Sequence, residues 1–155
     1  MLHQTDPTGR DDPYDLNRFV TAQKVDYTRA LSEIESGQKR SHWMWYVFPQ
    51  IDGLGYSAAA RRYSLKSTAE AEAYLGPAAL GPRLTACAEA ALRASGRSAR
   101  DVFGTPDDLK LRSSATLFAA VSAEGSVFQR LLERYFRGEP DRETLRLLKR
   151  LSGGQ

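Results

Sequence analysis

Hydrophobic residues recur along most of the chain at the spacing of amphipathic helices. The clearest example runs from Leu16 to Ser36, where the apolar side chains fall mostly on one helical face. Asp15 precedes this stretch as the expected N-cap, and Gly37 follows it as a left-handed C-cap. We find no convincing run of alternating polar and apolar residues and no hairpin signal. The pattern therefore predicts an all-α fold.

Capping residues indicate where the other helices begin. Expected starts are Ser57, Ser67 with Glu70, Ser98 with Asp101, Thr105 with Pro106, Ser126 and Asp141. A small-residue stripe over 84–92 predicts one more helix, whereas segment 38–55 breaks the helical pattern. These signals predict a compact single domain of about seven short helices over residues 15–151. Residues 1–14 are expected to form a mobile N-terminal tail, and residues 152–155 a C-terminal tail.

Segment 39–50 is unusually rich in aromatic residues and begins with two cations, Lys39 and Arg40. It holds both tryptophans of the chain, Trp43 and Trp45. Aromatic side chains usually pack into a core, where full burial stabilises a protein by about 1.5–3 kcal/mol each. The alternative is a pocket wall that stacks a base or sugar ring, with Lys39 or Arg40 contacting a phosphate. The two interpretations are compatible if alternate side chains of the segment point in opposite directions, one set into the core and the other into a pocket.

His42 lies in the same segment and is a candidate hydrogen-bonding or acid–base residue. No spacing of histidine and cysteine residues resembles a zinc site, so we expect neither a metal nor a cofactor. Cys87 lies on an alanine-rich helical stripe, which favours a buried, inert thiol. A catalytic pair of Cys87 with His42 is the less favoured alternative.

Segment 107–118 is apolar almost all round a helical wheel, which is typical of a buried helix. It nevertheless contains Asp108, Lys110 and Arg112, and buried charge is costly unless it is paired or used. One interpretation is an internal Asp108–Arg112 pair, with hydroxyl groups bonded to carbonyl oxygens one turn back. The other is a polar cavity beside segment 39–50, to which Ser113 would also contribute.

Asp107 and Asp108 stand in the expected first turn of that helix, where negative charge favours the helix dipole. This placement explains both residues without any chemistry. It also leaves either of them free to act as a general base.

Composition narrows the classes of protein to consider. A chain of 155 residues fits one domain, and its net charge of +3 is too mild to indicate nucleic acid, the least favoured partner. One cysteine excludes an internal disulfide and suits a reducing compartment. Neither a signal peptide nor an apolar stretch of roughly 20 residues is present, so we expect a cytoplasmic protein without a membrane span. The oligomeric state stays open.

Several motifs together resemble the bacterial domain-of-unknown-function family 1810, whose members are often labelled calpastatin. The matching motifs are Asp15-Leu16-Asn17-Arg18-Phe19-Val20, the run 39–50 with Ser41-His42-Trp43-Met44-Trp45, Gly53-Leu54-Gly55, Tyr74-Leu75, Leu80-Gly81-Pro82-Arg83-Leu84, Phe103-Gly104 and the run 107–118. The resemblance covers nearly everything from residue 15 to residue 148. It implies a single-domain, mainly helical fold and no established activity. A more distant similarity, at fold level, is to the helical family that cleaves N-glycosidic bonds in ADP-ribosylated bases.

These observations favour a site for a phosphorylated, nucleotide-like ligand, such as an ADP-ribosyl or ribose-phosphate compound, whose N-glycosidic bond the protein would hydrolyse. The expected catalytic residues are Asp107, Asp108 and His42. The expected ligand-binding residues are Lys39, Arg40, Trp43, Trp45, Lys110, Arg112 and Ser113. The alternative is a non-enzymatic interaction module, in which segment 39–48 exposes an aromatic patch to a protein partner and Arg112 belongs to a structural ion pair.

Overall fold

The computed structural model describes residues 12–76, 79–94 and 96–153 of the chain, with side chains up to residue 151. Within these residues the chain forms nine helices. They are α1 (Asn17–Glu35), α2 (Met44–Val47), α3 (Ala58–Arg62), α4 (Thr68–Leu75), α5 (Leu80–Arg93), α6 (Ala99–Phe103), α7 (Asp107–Ala120), α8 (Val127–Phe136) and α9 (Arg142–Gly153). The expected all-α architecture is confirmed, since the described residues contain no strand beyond an isolated parallel bridge between Ile51 and Leu65.

Helix α7 is the centre of the fold. It packs against α4, α6, α8 and α9, while α1 packs against α5 and α2. Seven of the fourteen residues of α7 are buried, as its apolar composition predicted. The exception is Leu109, which is 56% exposed and lies on the side where the candidate site is found. The buried residues of α7 thus lie between Leu111 and Phe118, and both ends of the helix are more exposed.

The prediction of about seven helices is wrong for the described residues, because short helical turns are hard to see in a hydrophobic pattern. Helix α2 contains only Met44–Val47 and lies inside a segment for which no helix was expected. A single turn presents too few residues to show a periodicity of 3.6. This missed turn orients the aromatic residues of segment 39–50.

The start of α1 is also different from the prediction. The carboxylate of Asp12 accepts the backbone N–H groups of Leu16 and Asn17, each at 2.8 Å. Asp15, the expected cap, instead adopts a left-handed backbone conformation with φ of 52°. Asp12 is buried, so the ordered fold begins before the expected boundary at residue 15. The remainder of the expected tail, residues 1–11, lies outside the described residues, as do residues 154–155.

Most of the other expected caps are confirmed. Ser98 and Asp101 form a reciprocal capping box at α6, and Asp141 accepts the N–H of Thr144 at 2.9 Å. Ser57, Ser67 and Ser126 each accept a backbone N–H three residues ahead. Thr105 is an exception: Pro106 is itself the N-cap of α7, and the helix begins at Asp107. These local signals depend on neighbours in sequence, which explains their success.

Gly81 allows α5 to follow α4 closely. A Cβ atom on Gly81 would lie 2.1 Å from the carbonyl oxygen of Leu75. Any other residue would therefore force the two helices apart.

Among the described helices, none has both the length and the apolar character that crossing a bilayer demands.

Candidate functional site

The two unusual segments of the sequence meet in space at the N-terminal end of α7. The ammonium group of Lys39 lies 2.8 Å from Asp107 Oδ2, and that of Lys110 lies 3.4 Å from Asp107 Oδ1. The carboxylate of Asp107 therefore joins one lysine from the loop after α1 to one from α7. We call Lys39, Asp107 and Lys110 the lysine–aspartate cluster.

The members of this cluster differ in how firmly they are held. Only 6% of the Lys39 side chain is exposed, against 23% for Lys110. Lys39 also donates a hydrogen bond to the carbonyl oxygen of Ser41 and lies 4.9 Å above the ring of Trp43. Lys39 is consequently a fixed, interior cation, and Lys110 is the accessible one.

A cleft with a volume of about 410 Å³ opens beside Lys110. It lies between the N-terminal end of α7, the loop before α3 and the start of α9. The lining residues are Trp45, Gln50, Leu54, Gly55, Tyr56, Ser57, Ala60, Pro106, Leu109, Lys110, Ser113, Asp141 and Glu143. This cleft is the candidate site.

Trp45 forms one wall of the cleft, and its position is coupled to Lys110. The Lys110 ammonium lies 4.6 Å from the centre of the Trp45 ring, within the range of a cation–π contact. The indole is half-buried, so part of its surface faces the cleft. An indole with a cation 4.6 Å from its ring centre can receive a flat ring that carries a negative group.

Glu33 of α1 holds the loop that carries Lys39. Its carboxylate accepts hydrogen bonds from the N–H groups of Arg40 and Ser41, from the Ser41 hydroxyl and from the Trp43 indole, at 2.6–2.9 Å. Partial burial by itself would raise the pKa of Glu33. The hydrogen bonds from Ser41, Arg40 and Trp43 outweigh that effect and lower the pKa to about 2. Glu33 therefore keeps its charge, and its clamp on the loop, at ordinary pH.

The family of this chain follows from comparison with known proteins. The model of a family described as "Protein of unknown function (DUF1810)" matches residues 13–148. The chain belongs to the DUF1810 family. The resemblance expected from the sequence motifs is thus confirmed over most of the chain.

A solved structure supports the fold of this DUF1810 protein. The conserved hypothetical protein Rv1873 from Mycobacterium tuberculosis is 49% identical to it, with a TM-score of 0.87. The similarity covers 89% of this chain and 99% of that one. No curated protein matches the chain.

The two tryptophans of the DUF1810 chain have different environments. Trp43 is fully buried and packs near Phe48 and Phe103, with ring centres 6.5 and 6.4 Å away. Trp45, two residues later, lines the cleft. Segment 39–50 thus contributes to the core and to the cleft together, as alternation of side chains along the segment allows.

Arg112 lies on another side of α7. Its guanidinium group donates to the carbonyl oxygen of Glu139 at 2.9 Å and contacts the Glu139 carboxylate at 3.3 Å. The hypothesis of an internal Asp108–Arg112 pair is therefore wrong, because Arg112 finds its partner in the loop between α8 and α9. The accompanying expectation about hydroxyl groups is confirmed for Ser113 and Thr116, which donate to the carbonyl oxygens of Leu109 and Arg112. The Ser114 hydroxyl has no such partner among the described residues.

The structure does not bring every expected site residue into the cleft. The side chains of Arg40 and His42 are exposed. The carboxylate of Asp108 accepts the backbone N–H of Leu109 in the first turn of α7. Lys39 and Asp107 contact the cleft through Lys110, while Trp45, Lys110 and Ser113 line it directly.

Cys87 is buried in α5, whereas His42 is exposed. Burial, reinforced by the charge of Glu35, raises the pKa of the Cys87 thiol to about 12. The thiol therefore stays protonated, in agreement with the expectation of an inert cysteine. Within the described residues, no group of three or more histidine, cysteine, aspartate or glutamate side chains could hold a metal ion.

Sequence reasoning missed four residues that shape the site: Glu33, Gln50, Tyr56 and Asp141. Glu33 looks like an ordinary charge on the polar face of α1, and its role depends on a loop eight residues away. Asp141 was expected only as a helix cap, yet it also lines the cleft. Tyr56 carried a usable signal, since it is an aromatic residue directly after Gly55 and directly before the expected cap at Ser57.

Proposed function

We propose that this DUF1810 protein binds a nucleotide-like small molecule, with a flat ring and a ribose phosphate, in the cleft beside α7. The observation that carries the proposal is the pairing of Trp45 and Lys110 at the cleft wall, with a cation 4.6 Å from the indole centre. An indole stacks on a base or a sugar, and an ammonium group attracts a phosphate. The two features that such a ligand needs are therefore adjacent.

The dimensions and the polar groups of the cleft agree with this proposal. A volume of about 410 Å³ lies within the usual range of small-molecule sites. The Ser113 hydroxyl donates its proton to Leu109, so its oxygen can still accept a hydrogen bond from a ligand. Gln50 offers both a donor and an acceptor at the cleft wall.

Hydrolysis of an N-glycosidic bond is the finer part of the proposal. Its transition state resembles an oxocarbenium ion, which a carboxylate stabilises electrostatically. Of the three residues expected to act in catalysis, Asp107 is the one tied to a cleft residue, through its contact with Lys110. We therefore keep Asp107 as the candidate for this role: like Asp108 and His42 it does not line the cleft, but its carboxylate contacts Lys110, which does.

Thermal unfolding in the presence of AMP, ribose 5-phosphate and ADP-ribose tests the proposal. A ligand at about 100 times its dissociation constant stabilises the fold by roughly 2.7 kcal/mol, which is a measurable shift. We expect Trp45→Ala and Lys110→Met to lose that shift while keeping the helical circular dichroism of the wild type. Lys24→Met is the matched control, because it removes the same charge from an exposed site on α1.

Two results would contradict the proposal. One is a folded wild-type protein that none of these compounds stabilises. The other is a stabilisation that survives in both Trp45→Ala and Lys110→Met, which would place the ligand elsewhere. A ligand that binds without being cleaved would leave the binding role intact and remove the hydrolytic role of Asp107.

A second candidate function is the docking of a protein segment in the same cleft. The patch first expected on segment 39–48 is not exposed, since Trp43, Met44 and Val47 are buried. Two other large apolar side chains line the cleft instead, Tyr56 at 81% exposure and Leu109 at 56%. A Tyr56→Ser/Leu109→Ser variant that loses a protein partner yet keeps nucleotide binding would favour this alternative.

A further inference from the structure

The lysine–aspartate cluster suggests how the cleft selects among phosphorylated ligands. Two of its members are cations and one is an anion, so the cluster carries one positive charge in excess. Asp107 contacts both lysines and is only 20% exposed, which leaves the carboxylate largely screened from water by its partners. Its charge therefore acts mainly on Lys39 and Lys110.

The two lysines share Asp107 unequally. Lys39 approaches one carboxylate oxygen at 2.8 Å, whereas Lys110 approaches the other at 3.4 Å. The backbone N–H of Lys39 also donates to the carbonyl oxygen of Val102 at 2.6 Å. Lys39 is thus fixed at both its backbone and its side chain, and it takes up most of the attraction that Asp107 exerts.

The weaker hold on Lys110 has a consequence for the cleft. If Lys39 were absent, Asp107 would have Lys110 as its one cationic partner in the cluster and would draw it away from the Trp45 ring. With Lys39 present, the Lys110 ammonium stays above the indole, at the cleft wall. Lys39 therefore affects the cleft without lining it.

The lining of the cleft also carries negative charge. Asp141 lines the cleft, where one oxygen of its carboxylate is occupied by the N–H and hydroxyl of Thr144. Glu143 also lines it, but its carboxylate is paired with Arg146. A second phosphate on the ligand would bring further negative charge into a cleft whose lining includes Asp141, and like charges repel.

We infer that Lys39 acts on the cleft through Asp107 as a positioning residue, and that the single excess charge of the cluster limits the cleft to ligands with one phosphate. The inference rests on the proposed nucleotide-binding function and narrows it from ADP-ribosyl compounds to ribose monophosphates. Asp107 is then the residue that determines specificity, because it cancels one of the two lysines.

The charge of the cluster can be changed in steps. Lys39→Met makes the cluster neutral, whereas Lys39→Met/Asp107→Asn restores one positive charge, now on Lys110 alone. The double variant removes the partly buried carboxylate together with the lysine nearest to it, so no unpaired anion remains there. AMP and ADP are matched probes, because they differ by one phosphate.

Isothermal titration of these variants with AMP and ADP tests the inference. We expect the wild type to bind AMP at least threefold more tightly than ADP. Lys39→Met should bind AMP about five- to tenfold more weakly, since a unit charge near the cleft edge contributes on the order of 1 kcal/mol. The double variant should return to within about twofold of the wild type, which corresponds to less than 0.5 kcal/mol.

Direct contact of Lys39 with the ligand predicts another pattern. In that case the double variant would bind AMP as weakly as Lys39→Met, because the contact is lost in both. That result would overturn the positioning role, and an equal or tighter affinity of the wild type for ADP would overturn the selectivity.

A measurement without ligand separates this inference from the proposed function. The chain has five lysines, so the ε-methylene signal of Lys110 can be resolved in lysine-labelled protein and assigned with Lys110→Met. The Trp45 ring shifts this signal upfield; the shift should shrink in Lys39→Met and return in the double variant. A wild type that binds neither nucleotide refutes the proposed function, and an unchanged Lys110 signal in both variants refutes the positioning role.

Discussion

Lys110 and Arg112 stand two residues apart on α7, and a helical rotation of about 200° separates their side chains. The Lys110 ammonium rests above Trp45 and at 3.4 Å from Asp107, with part of its surface open to the cleft. Arg112 binds a backbone carbonyl and the carboxylate of Glu139, and its guanidinium lies 5.6 Å from the Phe136 ring centre. Both are cations on a mostly buried helix.

The difference between them shows which charge is available for a ligand. Arg112 joins α7 to the loop after α8, where its rigid fork of donors meets a fixed acceptor. Lys110 is held by one longer ion pair and one cation–π contact, both of which an incoming phosphate can replace. A charge on a buried helix is therefore a candidate for binding only when its protein contacts are weak.

The largest effect is expected from Glu33→Ala, which removes the carboxylate that holds the loop carrying Lys39. The substitution leaves the buried Trp43 indole N–H and the loop N–H groups of Arg40 and Ser41 without their acceptor. Unsatisfied polar groups of this kind cost about 1–3 kcal/mol each when buried, and the loop can relax. We expect a loss of about 2–4 kcal/mol in the free energy of unfolding, measured with urea.

The control for this variant is Glu35→Ala, on the same helix. Glu35 is exposed and its contact with Arg93 spans 3.8 Å, so its loss should change the stability by less than about 0.5 kcal/mol.

The dependence of stability on acid pH provides a second test of the Glu33 clamp. Because folding lowers the pKa of Glu33, its stabilising effect is complete above pH 4.5 and disappears as the pH falls towards 2. An acid dependence in Glu33→Ala equal to that of the wild type would contradict the clamp.

A middle-sized effect should distinguish the two cations of α7. Arg112→Ala removes a hydrogen bond to a carbonyl oxygen and an exposed ion pair, so we expect a loss of about 0.5–1.5 kcal/mol in stability. Lys110→Met should cost less than about 0.5 kcal/mol. Ligand binding should show the reverse order, with AMP affinity lost in Lys110→Met and kept in Arg112→Ala. Equal effects of both variants on AMP binding would refute the distinction.

The sequence was sufficient for the fold wherever the signal was local. The apolar face of α1 and the Ser98–Asp101 box depend on residues within a few positions of each other, and both were predicted. The cap at Asp12 and the partner of Arg112 were not. Asp12 lies before a left-handed residue, and Glu139 lies 27 residues after Arg112. The Asp12 cap is local but depends on the left-handed backbone of Asp15, which the sequence pattern does not reveal, whereas the contact of Arg112 with Glu139 is created by the tertiary fold.

The candidate site was predicted in its composition and missed in its arrangement. Charges among apolar residues singled out the segments of Lys39 and Lys110, and these two segments meet through Asp107. The pattern could not show which tryptophan faces outward, because that depends on the single turn of α2. Nor could it show that Glu33 holds the loop, since a surface glutamate and a clamping glutamate are identical in sequence.

The smallest effect concerns two neighbouring serines on α7. It compares a hydroxyl group that is bound within the fold with one that is not, as Arg112 and Lys110 do for charged groups. Ser113 donates to Leu109, but the buried hydroxyl of Ser114 has no hydrogen-bond partner among the residues that the structure describes. Replacing an unpaired buried hydroxyl by a methyl group removes a desolvation cost, so Ser114→Ala should be neutral or stabilise by up to about 1 kcal/mol. Ser113→Ala should instead destabilise slightly, by about 0.5 kcal/mol, because a hydrogen bond is lost. Urea unfolding of both variants checks the difference in sign. A clear destabilisation by Ser114→Ala would mean that this hydroxyl has a bound partner, such as an ordered water on the face that Ser114 shares with Asp107 and Lys110.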